Sequence, residues 1–499
     1  MGSTGLAAAG FAVVMSALLP GQAFAQQTTG ETKAPATAAS GQQGADTQST
    51  ADDKTPPPEA IDVGAPAPAP APADTQVPPK PKHAAIQRDT SPSALIGDTQ
   101  GNPAPGLIGD WQRVRSRLGE RGITVTARYA SESGYNPTGG EKQLWRETGQ
   151  FDAGVLLNME KLAGVTGGAF QATVTWRRGY DLTTDAGLGL LQQAQEIYGR
   201  GQTVRVTQLW YEQKLGAVEV KLGRTNPGED FAVFSCHFMN LTFCGAQVGN
   251  LVGTYWYNWP VAQWGARVRV DLPRDAYVAG AVYEVNPKNL DNNFFLWRFH
   301  GATGVLVPIE AGWVRGGDEG HVGVYKVGGW YSSAPGDDVY YDVNHNPRAV
   351  TGLDPLQRDS RYGVYFSIQQ QLTGGSKDGK SLTGLNVFAN VTQADRKTSV
   401  TDNQVVVGMF YKGLFPSWPG DVLGVAVGRT NVNGRARDAD RAVPGTPVRD
   451  AEYAAEIYYS LHPADWLELQ PNVQYIHQPG GLKDKGDVAV LGMKAALTL

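Results

Sequence analysis

Charged side chains of both signs recur at alternate positions within segments that are otherwise apolar. Arg267 and Arg269 flank Val268, and Arg177 follows Trp176. This period of two places the charged residues on one face of a strand and the apolar residues on the other. The charged face cannot be a dry core, because burying an unpaired charge is costly. Such groups can hydrogen-bond a polar solute or pair with one another. The residues of this face include Arg177, Arg267, Arg269, Asp271 and Glu284.

The chain shows no constellation typical of catalysis or metal binding. Its seven histidines have no metal-like spacing, and the G-x-S-x-G nucleophile motif is absent. We therefore expect a protein that is not an enzyme and that holds no cofactor and no metal. An outer-membrane esterase or phospholipase, with a Ser–His pair on the outer wall, is the enzymatic alternative. A secreted glycan-binding β-protein is the soluble alternative.

The composition argues against the three soluble domains that about 150 residues per domain would suggest. Of the 499 residues, 62 are glycine and 18% are charged, whereas soluble chains average about 7% and about 25%. The net charge of −5 indicates no nucleic-acid partner, which would need a basic excess. No stretch after Ala25 approaches about 18 consecutive apolar residues, so a membrane-spanning form must be a closed barrel.

Sixteen segments have the alternation or composition of strands, and most have the roughly 9–11 residues of a tilted barrel strand. Bacterial outer-membrane barrels require an even number. We therefore predict an all-β fold, namely a 16-stranded antiparallel transmembrane β-barrel in the outer membrane of a Gram-negative cell. The predicted strands are 123–132, 150–160, 169–178, 203–214, 217–224, 262–272, 276–286, 302–313, 321–331, 361–372, 383–395, 403–415, 422–430, 452–462, 465–477 and 488–499.

The connections between these strands alternate in length. Short ones such as 215–216, 273–275 and 463–464 separate long ones such as 179–202 and 225–261. Short periplasmic turns and long outer loops are typical of outer-membrane barrels, as are aromatic girdles near the strand ends. Ordinary core aromatics are the alternative for any single residue. The predicted girdle residues are Tyr129, Trp176, Trp210, Tyr211, Tyr283, Trp313, Tyr331, Phe415, Tyr458 and Tyr459.

The connection after the fifth predicted strand carries both cysteines, Cys236 and Cys244, which are eight positions apart. In an exported protein this spacing indicates a small-loop disulfide, which contributes about 2–3 kcal/mol by chain entropy. Two unrelated thiols are the alternative. The loop also contains four phenylalanines, more than a solvated loop needs. We therefore expect it to fold into the barrel and narrow the channel. These phenylalanines are Phe231, Phe234, Phe238 and Phe243.

The N-terminal part differs from the rest in composition. Residues 1–25 combine a short apolar run with an Ala-Phe-Ala cleavage pattern, which predicts a signal peptide. The mature chain should then begin at Gln26, and N-terminal sequencing would test this start. Residues 26–105 are rich in alanine and proline and lack aromatics, so we expect a disordered linker. This arm is either a tether that contacts the periplasm or cell wall, or a tail without a specific role. An amphipathic helix is predicted over 111–121, before the barrel domain that fills the remainder of 106–499.

Several motifs together resemble the carbohydrate-selective outer-membrane porins of the OprB family. The resemblance extends from about Gly106 to Leu499. The chain departs from the family pattern in ending in Leu499, where outer-membrane strands commonly end in Phe, and in Gln112-Arg113, where small glycines are frequent. The matching motifs are GDWQRVRSRLGERGI (109–123), QLWYEQ (208–213), GRTNPGEDF (223–231) with the cysteine pair that follows, GGWY (328–331) and LQPNVQYIHQPGG (469–481).

This resemblance implies a mainly monomeric channel for the passive, selective diffusion of glucose and related sugars. Its partners would be small sugars and outer-membrane lipid. A sugar is neutral and covered with hydroxyls, so its contacts should combine arginine donors, carboxylate acceptors and aromatic faces. Structural ion pairing is the alternative role for each charged candidate. The candidate substrate-binding residues are Arg177, Trp210, Glu212, Arg224, Glu229, Asp230, Arg267 and Arg269.

Overall fold

The alternating segments form strands that close into a barrel in the computed structural model of the protein. The structure describes residues 106–499 except Gln112, Ser235, Arg298, residues 318–319, residues 376–382 and Pro419. The expected signal peptide (1–25) and linker (26–105) lie outside the described residues. The first strand pairs with the last, and Arg128 stands opposite Thr498 in that pairing. This pairing closes the barrel.

Within the described residues, sixteen antiparallel strands build the barrel, and β10 and β11 form a separate two-stranded sheet. The predicted fold class and strand number are therefore confirmed. The strands are β1 Ile123–Thr138, β2 Trp145–Asn158, β3 Gly168–Gly179, β4 Val204–Leu215, β5 Val218–Thr225, β6 Gln263–Leu272, β7 Ala276–Val285, β8 Gly304–Gly317, β9 Gly320–Ser332, β10 Gly336–Asp342, β11 Pro355–Arg358, β12 Arg361–Gln371, β13 Gly384–Ala394, β14 Thr401–Lys412, β15 Val422–Val432, β16 Ala451–Ala464, β17 Leu467–His477 and β18 Val488–Thr498.

Short helices and turns lie in the connections. The helix expected over 111–121 is shorter and begins at Val114, because Arg113 has a left-handed backbone with a φ of 73°. The described helices all lack the length and apolarity needed to cross a membrane. The helices are Val114–Glu120, Met159–Ala163, Leu182–Asp185, Pro227–Asp230, Gln247–Leu251, Arg348–Thr351 and Gly434–Ala442, with 3-10 turns at Leu241–Phe243, Pro287–Leu290 and Pro479–Gly481.

The barrel wall is polar inside and apolar outside, as β17 illustrates. Gln470, Asn472 and Gln474 on this strand are buried, whereas Val473 and Tyr475 between them are about half exposed. A soluble sheet would show the opposite pattern, with its apolar face buried. The exposed apolar side chains suit a lipid environment, and the buried amides face the barrel interior.

The exposure of the predicted girdle residues is consistent with the girdle prediction for some of them and contradicts it for others. Trp176 and Phe415 are exposed at 45% and 51%, as side chains on the lipid face should be. Trp210, Tyr283 and Tyr458 are instead buried at 6%, 0% and 2% exposure. These three occupy inward positions of their strands, so the period of two, rather than their nearness to a strand end, decides where they point.

The barrel wall is completed by a loop beside β5, which has only eight residues. The pairing of β4 with β5 begins at Leu209 opposite Arg224, so the first residues of β4 have no β5 partner. The connection between β7 and β8 fills this gap. Its Phe294 carbonyl accepts a hydrogen bond from the Val206 N–H at 2.9 Å. At this point Phe294 therefore supplies an acceptor to β4 where β5 supplies none.

The β10–β11 hairpin, which the sequence reading did not predict, is joined to another long connection by a buried carboxylate. Asp338 accepts hydrogen bonds from Arg358 at 2.7 Å and from Arg435 of helix Gly434–Ala442 at 2.6 Å. The Tyr340 N–H donates to the same carboxylate at 2.8 Å. Burial would raise the pKa of Asp338, but these donors and the N–H of Tyr341 bring it down to about 2.

We predict that Asp338 holds the hairpin against that helix. Asp338→Asn removes the charge that both guanidinium groups bind, and bonds to charged groups contribute about 1.5–3 kcal/mol. Amide hydrogen exchange over 336–342 and 434–442 should therefore accelerate about tenfold or more. Asp337→Asn is the matched control, because the Asp337 side chain is 58% exposed. Equal exchange in the two variants would contradict the prediction.

The lowered pKa also sets the pH dependence of this contact. A carboxylate with a lowered pKa stabilises the fold fully above its unfolded value, here 3.8, and the stabilisation is lost as the pH falls through the folded value. The protection of the amides over 336–342, that is, their exchange corrected for the intrinsic pH dependence of amide exchange, should therefore be constant from neutral pH down to about pH 4 and fall between about pH 4 and pH 2.

Candidate functional site

Two long connections, residues 180–203 and 226–262, fold into the barrel, and we call them the inward segments. The four phenylalanines of the second segment are buried, with exposures between 0% and 5%. Phe234 packs on the wall residue Phe388, and Phe238 packs on Tyr458, each with ring centroids 4.9 Å apart. The expectation that this connection folds inward is therefore met, and burial of these rings holds it there.

A disulfide joins Cys236 to Cys244 within the second inward segment. Between them, the Asn240 side chain accepts a hydrogen bond from the Thr242 N–H at 2.9 Å and caps the turn Leu241–Phe243. The rings of Phe238 and Phe243 lie 5.4 Å apart. The disulfide thus closes a small loop whose aromatic side chains face the same wall cluster.

A row of inward side chains crosses β4, β5 and β6. Glu212, Lys221 and Arg267 stand opposite one another in the pairing register. Opposed residues on the same face of a sheet are neighbours, so one carboxylate and two cations meet here, and the two cations, Lys221 and Arg267, are adjacent. The Arg267 guanidinium pairs with Glu212 at 2.9 Å and also with Glu219. The period of two on three adjacent strands therefore brings these charges together.

The second inward segment adds two acids to this row through its short helix Pro227–Asp230. Asp230 pairs with Arg267 at 2.8 Å and with Lys221 at 3.1 Å, and it accepts a hydrogen bond from the Tyr283 hydroxyl at 2.8 Å. Glu229 lies 3.5 Å from the Lys221 ammonium group. We call the whole set the Arg267 network, and it consists of Glu212, Glu219, Lys221, Glu229, Asp230 and Arg267.

The two loop acids differ in their electrostatics. Burial raises the pKa of Glu229, and the ammonium group of Lys221 only partly offsets this effect. Burial would also raise the pKa of Asp230, but Lys221 and Arg267 together hold it below its usual value. Asp230 is therefore the stable anionic partner of both cations. Glu212 and Glu219 keep 15% and 14% of their side chains exposed, so the network remains open to solvent on that side.

Two further candidate residues lie beside the network. The Arg269 guanidinium binds Asp271 at 3.0 Å and lies 4.0 Å from the ring centroid of Tyr277. The Trp210 ring faces the Lys221 ammonium group at 4.7 Å and is buried with Leu156 and Ala169. The Trp210 ring thus covers a cation of the network instead of presenting an open face.

The remaining two candidates, Arg177 and Arg224, bind loop backbone at other places. Arg177 donates to the Gln150 side chain at 2.8 Å and to the Gly199 carbonyl at 2.9 Å. Arg224 donates to the Leu296 carbonyl at 2.8 Å, which fastens the segment that completes the wall beside β5. Of the eight predicted substrate-binding residues, the structure thus brings Glu212, Asp230 and Arg267 into direct contact and joins Glu229 to them through Lys221, with Trp210 and Arg269 adjacent.

Sequence reasoning missed several inward carboxylates that hold the inward segments. Glu310 on β8 accepts hydrogen bonds from the hydroxyls of Tyr277 at 2.6 Å and Tyr365 at 2.7 Å, and from the Ala232 N–H at 2.8 Å. The sequence signal for this site was Glu310 itself, a single glutamate within the apolar run of β8. Its partners lie on other strands and in a loop, so the sequence does not indicate them.

A second missed group lies where the first inward segment meets β1 and β18. The Lys494 ammonium group pairs with Glu132 at 3.3 Å and with Glu196 of the segment at 2.9 Å. Together with the Arg267 network, this group gives the interior both donors and acceptors fixed to the wall. Such an interior can hydrogen-bond a neutral polar solute at several places without concentrating a single sign of charge.

Comparison with known proteins agrees with this architecture. The family model described as "carbohydrate-selective porin, OprB family" matches residues 142–499 of this chain. Porin B of Pseudomonas aeruginosa is 41% identical over 410 residues, which is 78% of this chain and 90% of that protein. The putative porin QuiX of Acinetobacter baylyi is 31% identical over 435 residues, covering 82% and 96%.

A solved structure supports the same assignment. The high-pH structure of Pseudomonas putida OprB superposes with a TM-score of 0.76 at 37% identity, covering 81% of this chain and all of that chain. The predicted family, fold, outer-membrane localisation and channel function are confirmed, and the comparisons lend no support to the esterase or the secreted glycan-binding alternative. The chain belongs to the OprB family of carbohydrate-selective porins.

Proposed function

We propose that the protein passes glucose and related small sugars by passive diffusion, and that the Arg267 network forms part of its selective constriction. The observation that carries this proposal is the contact of Arg267 with Glu212 on one side and Asp230 of the inward segment on the other. The network therefore lies where wall and loop meet. It also offers planar donors and carboxylate acceptors within one hydrogen-bond length of each other.

This arrangement fits a neutral solute better than an ion. The network combines four carboxylates with two cations that pair with them, so neither sign forms a continuous ring of the kind that selects ions. A sugar hydroxyl can donate to Glu212 or Glu219 and accept from a guanidinium N–H. Each contact competes with the existing ion pairs, so binding stays weak enough for release, as conduction requires.

We further propose that the protein acts without catalysis. A histidine–carboxylate pair does lie on the wall, where His477 Nδ1 is 2.8 Å from Asp487. The hydroxyl beside the pair is the phenol of Tyr475, which donates to the same carboxylate. A hydrolase of the esterase type needs a serine at that place. These three side chains therefore support a structural contact instead of a catalytic triad.

The expected monomer and the cell-wall contact of the Pro-rich arm are parts of the same proposal. The arm lies outside the described residues. Light scattering on the detergent-solubilised protein would show the monomer, and a dimer or trimer would contradict it. Co-sedimentation with peptidoglycan should require residues 26–105, and equal sedimentation of a chain without them would contradict the contact.

A liposome-swelling panel tests the proposed function. Vesicles that contain the protein should swell quickly with glucose and other monosaccharides and progressively more slowly with larger oligosaccharides. A narrow lumen that offers hydroxyl partners should also distinguish glucose from an uncharged amide solute of similar size. Equal rates for both solutes would contradict sugar selectivity, and no swelling with any sugar would contradict the channel function.

We predict that Arg267→Ala weakens sugar binding several-fold without closing the channel. A charge-assisted hydrogen bond contributes about 1.5–3 kcal/mol when desolvated and less in a wet pore. The variant should conduct small ions better, and glucose should block that current less. Its cation preference should also rise, because Glu212, Glu219 and Asp230 lose their shared partner.

Two comparisons make this measurement specific. Arg315→Ala removes an arginine with an exposed side chain that lies over Trp313, and it should leave glucose block unchanged. Arg269→Ala, next to the network, should have a smaller effect in the same direction as Arg267→Ala. Unchanged glucose block in both Arg267→Ala and Arg269→Ala would place the selective constriction elsewhere.

A further inference from the structure

Strand β16 carries two glutamates, Glu452 and Glu456, on its inward face, and both are only 2% exposed. Glu456 accepts hydrogen bonds from the backbone N–H groups of Met239 and Asn240, each at 2.8 Å and each on a different carboxylate oxygen. Both donors belong to the second inward segment. This side chain thus binds loop backbone at two consecutive residues.

Glu452 does the same for the first inward segment. Its carboxylate accepts hydrogen bonds from the Leu191 N–H at 2.7 Å and the Gln192 N–H at 3.3 Å. The Gly480 N–H, in the connection between β17 and β18, donates to it at 2.8 Å. One strand therefore holds both inward segments, although β3 to β6, which carry those segments, lie on another part of the barrel.

The two inward segments also bind each other next to these carboxylates. The Leu241 N–H donates to the Gln193 carbonyl at 2.9 Å, and the Glu196 N–H donates to the Met239 carbonyl at 2.9 Å. The neighbouring strand adds Gln474, whose amide nitrogen donates to the Ala194 carbonyl at 2.9 Å. The junction of the segments is thus attached to the wall at several points, and through the two glutamates a single strand binds the backbone N–H groups of both segments.

We propose that Glu452 and Glu456 are positioning residues that set the aperture of the pore. The proposal rests on one part of the proposed function: solutes cross the lumen, and the inward segments narrow it. A carboxylate has acceptors at both oxygens and therefore satisfies two N–H groups at once, and such charge-assisted bonds are short and strong. An amide accepts at its oxygen alone, so a glutamine would leave one buried N–H facing an NH₂ group.

The test compares Glu456→Gln and Glu452→Gln with Glu468→Gln in the full-length protein. Glu468 lies on β17, and its carboxylate binds Ser460 at 2.8 Å and lies 3.8 Å from Arg128, both residues of the wall. All three substitutions remove one negative charge from the barrel interior. An effect of charge alone therefore appears in all three variants, whereas a change of aperture appears in the first two.

We expect Glu456→Gln and Glu452→Gln to raise single-channel conductance about twofold, because conductance through a narrow pore follows its cross-section. They should also admit larger oligosaccharides in swelling assays. Glu468→Gln should change cation preference and leave the size limit at the wild-type value. Amide exchange at residues 237–242 should accelerate about tenfold in Glu456→Gln and remain slow in Glu468→Gln.

Equal size limits and equal exchange in Glu456→Gln and Glu468→Gln would overturn the proposal. Heat-modifiable migration in detergent shows whether each variant has folded into a barrel. If Glu456→Gln does not fold, Glu456→Asp is measured in its place. That variant keeps the charge but is one methylene shorter, so it should raise conductance in the same direction, and wild-type conductance would overturn the proposal. If the wild-type channel passes no sugar at all, the proposed function fails, while ion conductance and exchange still decide on the role of the glutamates.

Discussion

The hydrogen-bonded pairing of β1 with β18 is the constraint on which the rest of the structure depends. A sheet edge within hydrocarbon has no water to satisfy its N–H and C=O groups, so a membrane sheet must close on itself. Here the pairing runs from Arg128 opposite Thr498 to Thr138 opposite Ala489. Closure then gives each strand one lipid face and one enclosed face, and the period of two distributes the side chains between them.

The needs of the inward segments explain which side chains line the enclosed face of the barrel. The inward segments bring two different requirements into the lumen, since their aromatic rings need apolar cover and their backbone N–H groups need acceptors. The wall meets the first requirement with residues such as Phe388 and Tyr458. It meets the second with carboxylates such as Glu310. The position of each segment is therefore a property of the wall and the segment together.

Much of the barrel could be predicted from the sequence, because the period of two is a local signal. The Arg267 network was partly predictable for the same reason, since Glu212 and Arg267 occupy inward positions of nearby strands. What could not be predicted are the contacts between distant parts of the chain. Tyr283 binds Asp230 of a loop, Arg224 binds the Leu296 carbonyl, and no local pattern indicates either contact. The β10–β11 hairpin depends on an ion pair from a separate connection and was missed too.

The short strand β5 has a consequence for how the protein can vary. Surface loops of barrels normally tolerate insertions and changes of length, because their backbone is solvated and carries no part of the wall. Residues 287–301 form such a connection in sequence, yet the Phe294 carbonyl accepts a hydrogen bond from β4 at a point where β4 has no β5 partner. A peptide tag or natural insertion placed beside Phe294 would therefore disturb its pairing with β4, so engineered display on this porin should use a different connection.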